Sequence, residues 1–199
     1  MLRDAGIVDM TPFEFVAILL SILFSIAIAH MMQSFAGLAR AADRIRFSGL
    51  HATWSLSVFV SVLANWLSVW QLRGLEEWTT GYILLLVVAV LAQYLACVLI
   101  SPDASSEGSI DLRAFHDKQG PRYLFAFGLL NIISVPLNLV TAGLFGVSAW
   151  GWQNLAQGPA AALTIAAIFV RPRWAQWAIA IAVFGLAVLY LAKLQASIR

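Results

Sequence analysis

Residues 80–101 read TGYILLLVVAVLAQYLACVLIS and carry no charged side chain. An apolar run of about 20 residues is long enough to cross the hydrocarbon core of a bilayer as a helix. Within lipid a spanning segment must satisfy its own backbone hydrogen bonds, which a helix does. This stretch therefore predicts a transmembrane helix.

Five further apolar runs surround it, at about residues 12–36, 52–72, 122–145, 153–170 and 174–194. The chain is 61% hydrophobic and 11% charged, whereas soluble domains have ~45–50% apolar and ~25% charged residues. The apolar excess must face lipid. The sequence therefore predicts an all-α, polytopic membrane helical bundle, one domain over residues 1–199, with about six transmembrane helices. The run 153–170 is the weakest of the six because Gly158-Pro159 interrupts its start.

The first and fourth runs carry signals for where their helices begin. Thr11-Pro12-Phe13-Glu14 fits a capping box with proline at the first helical position. Before the fourth run, residues 109–116 predict a short interfacial helix in a polar connection that extends from Pro102 to Pro121. We expect the fourth spanning helix to begin after Pro121.

The six predicted spans could arise from an internal duplication of three. Three spans followed by three would make any repeat an inverted one, as in many transporters. A short echo links Tyr94-Leu95-Ala96 with Tyr190-Leu191-Ala192. Apolar helices also resemble each other by chance, so a 3+3 inverted repeat and an unrelated pair of halves are both open.

The basic residues are distributed unequally between the two sets of connections. One side has eight: Arg40, Arg44, Arg46, Arg113, Lys118, Arg122, Arg171 and Arg173. The other side has four: Arg3, Arg73, Lys193 and Arg199. The positive-inside rule places the first side in the cytoplasm. The sequence therefore predicts a multi-pass protein of the inner membrane with both termini outside.

Two of the predicted spans carry a stripe of uncharged polar residues on one helical face. The second span has Ser57, Ser61, Asn65 and Ser68 at steps of four, four and three residues, and the fourth has Asn131, Ser134, Asn138 and Thr141. The third span contributes Gln93. Polar side chains lacking partners in hydrocarbon are costly, so these faces should turn inward. The candidate residues for a polar path or pocket are Ser61, Asn65, Ser68, Gln93, Asn131, Ser134 and Asn138.

The same stripes allow a purely structural interpretation. Small and polar residues also join membrane helices to each other through interhelical hydrogen bonds. No acidic or basic residue lies in the middle of a predicted span. This argues against a proton pump or a carboxylate-coupled ion carrier, because both need an ionisable group there.

A second candidate site groups histidines and an acid on the predicted cytoplasmic side. His30, His51 and His116 could bind a metal ion together with Asp111. The chain lacks a tight ligand spacing such as HExxH. The simpler interpretation is a set of interfacial histidines bonded to loop backbone. The single Cys97 lies inside an apolar run and is interpreted as a small buried hydrophobe.

Several stretches of the first 120 residues resemble an uncharacterised family of bacterial six-span integral membrane proteins of similar length. They are FVAILLSILFSIAIAHMMQSFAGLAR (15–40), RIRFSGLHATW (44–54), NWLSVWQLR (65–73), and the SPD and IDLRAFH segments within 101–116. The resemblance implies a six-span fold. It implies no activity, substrate or cofactor, because the family has no assigned function.

Three functions are compatible with these patterns. The first is a permease or channel for a small neutral or polar solute, lined by the polar stripes. The second is a membrane enzyme or metal-binding protein with its site among the histidines. The third is a structural subunit of a larger membrane complex. The expected partners are the lipid bilayer and either copies of the same chain or that larger complex. A net charge of +2, spread along the chain, gives no basic surface for nucleic acid, and the sequence leaves open whether a metal ion or haem binds.

Overall fold

The chain folds into a bundle of six α-helices. The computed structural model describes residues 10–103, 108–147 and 151–197. The helices are α1 (Pro12–Arg40), α2 (Gly49–Ser68), α3 (Thr80–Ile100), α4 (Leu112–Leu144), α5 (Trp152–Phe169) and α6 (Arg173–Ser197). Short 3-10 turns follow α1 at Ala42–Arg44 and α2 at Val69–Gly74, and two-residue strands lie at Ile45–Arg46 (β1) and Ile110–Asp111 (β2). The all-α prediction is confirmed.

Five helical segments among the described residues are long and apolar enough to cross a membrane. They are Pro12–Arg40, Gly49–Gly74, Thr80–Ile100, Leu112–Leu144 and Arg173–Leu194. Many of their large apolar side chains point away from the bundle, including Ile18, Leu84 and Ile181. These features identify a helical membrane protein. The segment α5 is not among the five, so the count of six spans stays a prediction.

The beginnings of the first three helices are fixed by side-chain caps. Thr11 and Glu14 form the predicted capping box: the Thr11 hydroxyl accepts from the Glu14 amide at 3.2 Å, and the Glu14 carboxylate accepts from the Thr11 amide at 2.8 Å. Ser48 and Thr79 cap α2 and α3 by accepting backbone N–H groups three residues on. These caps satisfy amides that a helix leaves without an internal partner.

The fourth helix begins ten residues earlier than the sequence predicted. The expected interfacial helix at 109–116 and the break at Pro121 are both wrong, because α4 runs without interruption from Leu112 through Pro121 and Pro136 to Leu144. Asp111 caps this helix, since its Oδ1 accepts from the Arg113 and Ala114 amides at 2.9 Å each. An interior proline has no N–H to bond the preceding turn, and its ring crowds the carbonyl four residues earlier; α4 nevertheless continues past both prolines.

Helix packing follows a ring order of α1, α3, α4, α5, α6 and α2. The most extensive contacts join α4 to α5 and α3, α2 to α6, and α1 to α3. In a 3+3 repeat, α4 and α6 would correspond to α1 and α3. The two halves pack differently, because α1 packs on α3 whereas α4 and α6 are not a major contact pair. The proposed 3+3 repeat therefore gains no support from packing and stays a prediction.

A small parallel sheet ties two connections together at one end of the bundle. Ile45 pairs with Ile110 and Arg46 with Asp111, and the Arg46 guanidinium lies 3.1 Å from the Asp111 carboxylate. The Arg173–Asp117 ion pair, at 2.6 Å, joins α6 to α4 at the same end. We call this the strand end of the bundle. The 40–50 and 108–111 segments and the start of α6 are therefore on one side.

Candidate polar cavity

A cavity of about 80 Å³ lies between the helices at the end opposite the strand end. Its apolar wall includes Leu20 and Phe24 of α1. Its hydrogen-bonding wall comes from α2 to α6 and the turn after α2, and consists of Asn65, Ser68, Gln71, Tyr82, Gln93, Ser134, Asn138, Thr141, Gln153, Gln157 and Tyr190. None of the described residues that line it is charged. We call it the polar cavity.

Three interhelical hydrogen bonds hold its walls in place. The Asn65 amide nitrogen donates to Gln93 Oε1 at 2.8 Å and joins α2 to α3. The hydroxyls of Tyr82 and Thr141 lie 2.8 Å apart and join α3 to α4. Gln153 Nε2 donates to Gln71 Oε1 at 3.2 Å and links α5 to the turn after α2. The helices α2, α3, α4 and α5 are thus each tied to a neighbouring segment by a polar group that also lines the cavity.

Asn138 differs from the other amides of the cavity wall. Its Nδ2 atom is buried and has no hydrogen-bond partner among the described residues. Leaving a buried donor unpaired costs about 1–3 kcal/mol. Asn138 is therefore the one cavity-wall amide, among the described residues, with a buried nitrogen that the protein itself leaves unpaired.

A smaller cavity of about 30 Å³ adjoins the first. The two share Asn65, Leu130, Gln157 and Tyr190 in their walls. The smaller one adds Ser61 of α2 and Asn131 of α4. Both lie closer to the strand end than the polar residues of the same helices that line the first cavity. The polar surface therefore continues from the first cavity toward the middle of the bundle.

Large side chains fill the bundle beyond the smaller cavity. Phe127 forms part of its wall and is 2% exposed, while Tyr123, one turn closer to the strand end, is fully buried. Trp54 and Val58 of α2 are also buried at this level. The continuous polar surface stops at these residues.

All seven pocket residues named from the sequence line these two cavities. Asn65, Ser68, Gln93, Ser134 and Asn138 line the first, and Ser61, Asn65 and Asn131 line the second. Sequence reasoning missed Gln71, Tyr82, Gln153, Gln157 and Tyr190. The step of four between Gln153 and Gln157 was a usable signal for a third polar face.

The four metal candidates are not gathered into one group. Among the described residues, no three His, Cys, Asp or Glu side chains lie close enough together to hold a metal ion. His30 packs against the ring of Tyr94 at 6.4 Å between centroids. His51 and His116 both contact Tyr123, with His116 Nδ1 hydrogen-bonded to the Tyr123 hydroxyl.

Asp111, the fourth candidate, is occupied by structural contacts. Its carboxylate caps α4 and pairs with Arg46. Hydrogen bonds from the Ala114 and Arg113 amides, together with the Arg46 charge, lower the pKa of this carboxyl group below its usual value. The group is therefore ionised at neutral pH and stabilises the helix start.

Comparison of the chain with protein-family models, curated proteins and solved structures gives no significant match. The family resemblance of the first 120 residues therefore stays a prediction.

Proposed function

We propose that the chain is a permease or channel for a small, uncharged polar solute, and that the polar cavity is its binding site. The observation that carries the proposal is a cavity between the helices whose described walls contain eleven hydrogen-bonding side chains and no charged one. Asn138, whose Nδ2 atom has no partner among the described residues, is part of this wall.

The chemistry of the walls selects against ions. An ion inside a bilayer is stabilised by an opposite charge or by many oriented dipoles, and ionisable residues therefore mark ion pathways. The walls offer amides and hydroxyls, which both donate and accept hydrogen bonds. They replace the hydration of a neutral polar molecule.

The size of the cavity sets an upper limit for the solute. One water molecule needs about 10–15 Å³ of cavity volume, so a cavity of about 80 Å³ has room for about five to eight. A solute of a few heavy atoms, such as a small amide or a short polyol, fits this space. The buried Phe127 and Tyr123 close the route toward the strand end, so passage requires these side chains to move.

Replacing Asn138 with leucine tests the site. We expect glycerol entry into proteoliposomes to fall about tenfold, because the substitution removes the free donor and fills polar space with an apolar side chain. The measurement is light scattering after an osmotic step. The matched control is Ser25→Leu on the exposed face of α1, where the Ser25 hydroxyl bonds only the Ser21 carbonyl; this variant should behave as the wild type.

Two results of this experiment would contradict the proposal. Equal glycerol entry in Asn138→Leu and wild type would remove Asn138 from the site. Entry no faster than in protein-free liposomes, for glycerol and for other small neutral solutes, would favour the enzyme or structural-subunit alternatives.

We also propose an orientation in the inner membrane, with the strand end in the cytoplasm and both termini outside. Most of the eight basic residues of the predicted inner side lie on segments at this end, and Arg46 and Arg173 are held there by ion pairs. Arg3 and Arg199, counted on the other side, lie outside the described residues. The positive-inside rule then sets the orientation.

Cysteine labelling tests this orientation. In a Cys97→Ser background, Asp43→Cys at the exposed strand end should resist impermeant maleimide in intact cells, whereas Glu77→Cys at the opposite end should react. Detergent permeabilisation should make Asp43→Cys reactive and so control for access. Labelling of Asp43→Cys but not Glu77→Cys in intact cells would invert the proposed orientation.

A further inference from the structure

A third cavity, of about 340 Å³, lies at the strand end between α4, the end of α5 and the start of α6. Its volume is within the ~300–1,000 Å³ range of small-molecule sites. Unlike the two cavities described above, it has charged residues in its wall, namely Asp117, Arg171 and Arg173. We call this space the arginine cavity. It is at the opposite end of the bundle from the polar cavity, so its role is independent of the proposed solute site.

Both arginines of this wall keep N–H groups that the protein does not use. Arg173 bonds Asp117 through Nη2 alone, at 2.7 and 2.6 Å from the two carboxylate oxygens. Its Nε and Nη1 groups have no partner among the described residues. Arg171 is exposed and makes no hydrogen bond or ion pair with a described residue. Two positive charges therefore stand against one negative charge, and the free N–H groups are the planar donors that suit phosphate oxygens.

The arginine cavity lies at the level of the membrane–water interface. Helix α6 is long and apolar enough to span, and it begins at Arg173. Trp174, the next residue, is 77% exposed. An exposed tryptophan at the end of a spanning helix is typical of the lipid headgroup region. The positive end of the α6 dipole is at the same place and also favours an anion.

The wall of the cavity becomes apolar with distance from the strand end. Leu124 lies seven residues further along α4 than Asp117, which is about 10 Å along the helix axis. Ala167 and Ile168 lie about one helical turn before Arg171, on α5. The buried Trp54 of α2 adds to this apolar part. The wall thus has the polarity of an amphiphile, with charge at the interface and apolar surface deeper in the bundle.

The volume also favours an amphiphile over a free anion. One water molecule needs about 10–15 Å³ of cavity volume, so about 340 Å³ is far more than a single phosphate ion fills. A free ion would also leave the apolar part of the wall in contact with water.

We propose that the arginine cavity binds the phosphate group of an anionic phospholipid. Arg171 and Arg173 donate hydrogen bonds to the phosphate oxygens, and the acyl chains pass along the apolar part of the wall. A zwitterionic lipid carries the same phosphate with a cationic group beside it, which the arginines repel. Asp117, the one acidic residue of the described wall, is already paired with Arg173. The site therefore selects anionic over zwitterionic headgroups.

Competition for tritiated dioleoylphosphatidylglycerol, bound to the full chain in detergent micelles, tests this site. Unlabelled dioleoylphosphatidylglycerol should compete about tenfold better than dioleoylphosphatidylcholine, which has the same acyl chains and no net charge. Inorganic phosphate and glycerol 3-phosphate, which supply the anion without acyl chains, should not compete at the same concentration.

Substitution of Arg171 tests the role of the wall. Arg171→Gln should bind phosphatidylglycerol about fivefold more weakly, because it removes one positive charge from the headgroup site. Its thermal stability should be unchanged, because Arg171 has no described partner to lose, and Arg171→Lys should keep most of the affinity. The matched control is Arg113→Gln, which removes the same charge from an exposed position at the strand end, outside the cavity wall. It should bind as the wild type.

Three results would overturn the proposal. Equal competition by phosphatidylcholine and phosphatidylglycerol would leave a cleft filled by ordinary lipid. Competition by inorganic phosphate as strong as that by phosphatidylglycerol would assign the cavity to a free anion. Equal weakening by Arg113→Gln and Arg171→Gln would reduce the effect to the general positive charge of this end of the bundle.

Discussion

Replacing Gln93 with leucine should lower the free energy of unfolding by about 1–3 kcal/mol, since that is the cost of leaving a buried polar partner unpaired. Gln93 is fully buried in α3, and its Oε1 accepts the 2.8 Å hydrogen bond from Asn65. Its Nε2 lies 3.8 Å from the Cys97 sulfur. The substitution removes the acceptor and leaves the Asn65 amide facing an apolar side chain. Solute entry should fall in the same variant, because the polar cavity loses a wall group.

A double-mutant cycle separates the hydrogen bond from the effect of either residue alone. Asn65→Leu should also destabilise the protein, because it leaves Gln93 Oε1 without its donor. The double variant should lose less stability than the sum of the two single variants, since neither group is then left unpaired. Equilibrium unfolding in mixed micelles measures all three. Strict additivity would mean that the two amides do not form a buried pair.

The two stability losses should be compared with Ser25→Leu, the exposed control on α1. Its hydroxyl bonds its own helix and its substitution leaves no partner unpaired in the bundle. We expect a change close to zero. A loss as large as that of Gln93→Leu would attribute the effect to polar-to-apolar substitution in general.

Much of the fold was predictable because local sequence patterns set helix positions in this chain. Uncharged runs long enough to span, with Thr11 and Glu14 as a capping box, located α1 and α3 closely. The start of α4 was missed because Pro121 resembles a helix boundary, whereas the Asp111 cap is effective from ten residues earlier. The pairing of β1 with β2 joins segments 65 residues apart, and no local pattern indicates it.

The polar cavity was partly predictable for a related reason. Stripes on α2 and α4 are periodic, so Asn65 and Asn138 could be placed on inward faces from spacing alone. Gln153 and Gln157 lie on α5, which is not among the five segments apolar enough to span, so polar residues at this spacing stand out less from their neighbours. Tyr82 and Tyr190 resemble interfacial aromatics by position. Whether such a residue faces the cavity depends on which helices are neighbours. The ring order of the bundle decides this, and the sequence of a single helix does not encode that order.

The histidines show the same limit. Sequence position placed His30, His51 and His116 toward one side of the membrane, but helix rotation decides which of them meet. The structure brings His51 and His116 to Tyr123 and leaves His30 beside Tyr94. A one-dimensional pattern contains no information about these rotations.

Urea should enter proteoliposomes that contain this protein about a hundredfold faster than guanidinium does, after subtraction of entry into protein-free liposomes. The two molecules share a planar, three-branched shape and differ in charge. Moving a charge to the centre of a bilayer costs about 2.5–3.5 kcal/mol on insertion scales, which corresponds to a factor of about a hundred. The described wall of the polar cavity has no charged side chain to offset that cost.

The ratio of these two entry rates in the same proteoliposome preparation tests the central claim most directly. Stopped-flow light scattering measures both rates, and Asn138→Leu should reduce the urea rate while leaving the small guanidinium rate unchanged. The account predicts a large ratio that falls in this variant. Guanidinium entry as fast as urea entry, or urea entry no faster than in protein-free liposomes, would contradict a cavity built for small uncharged polar solutes.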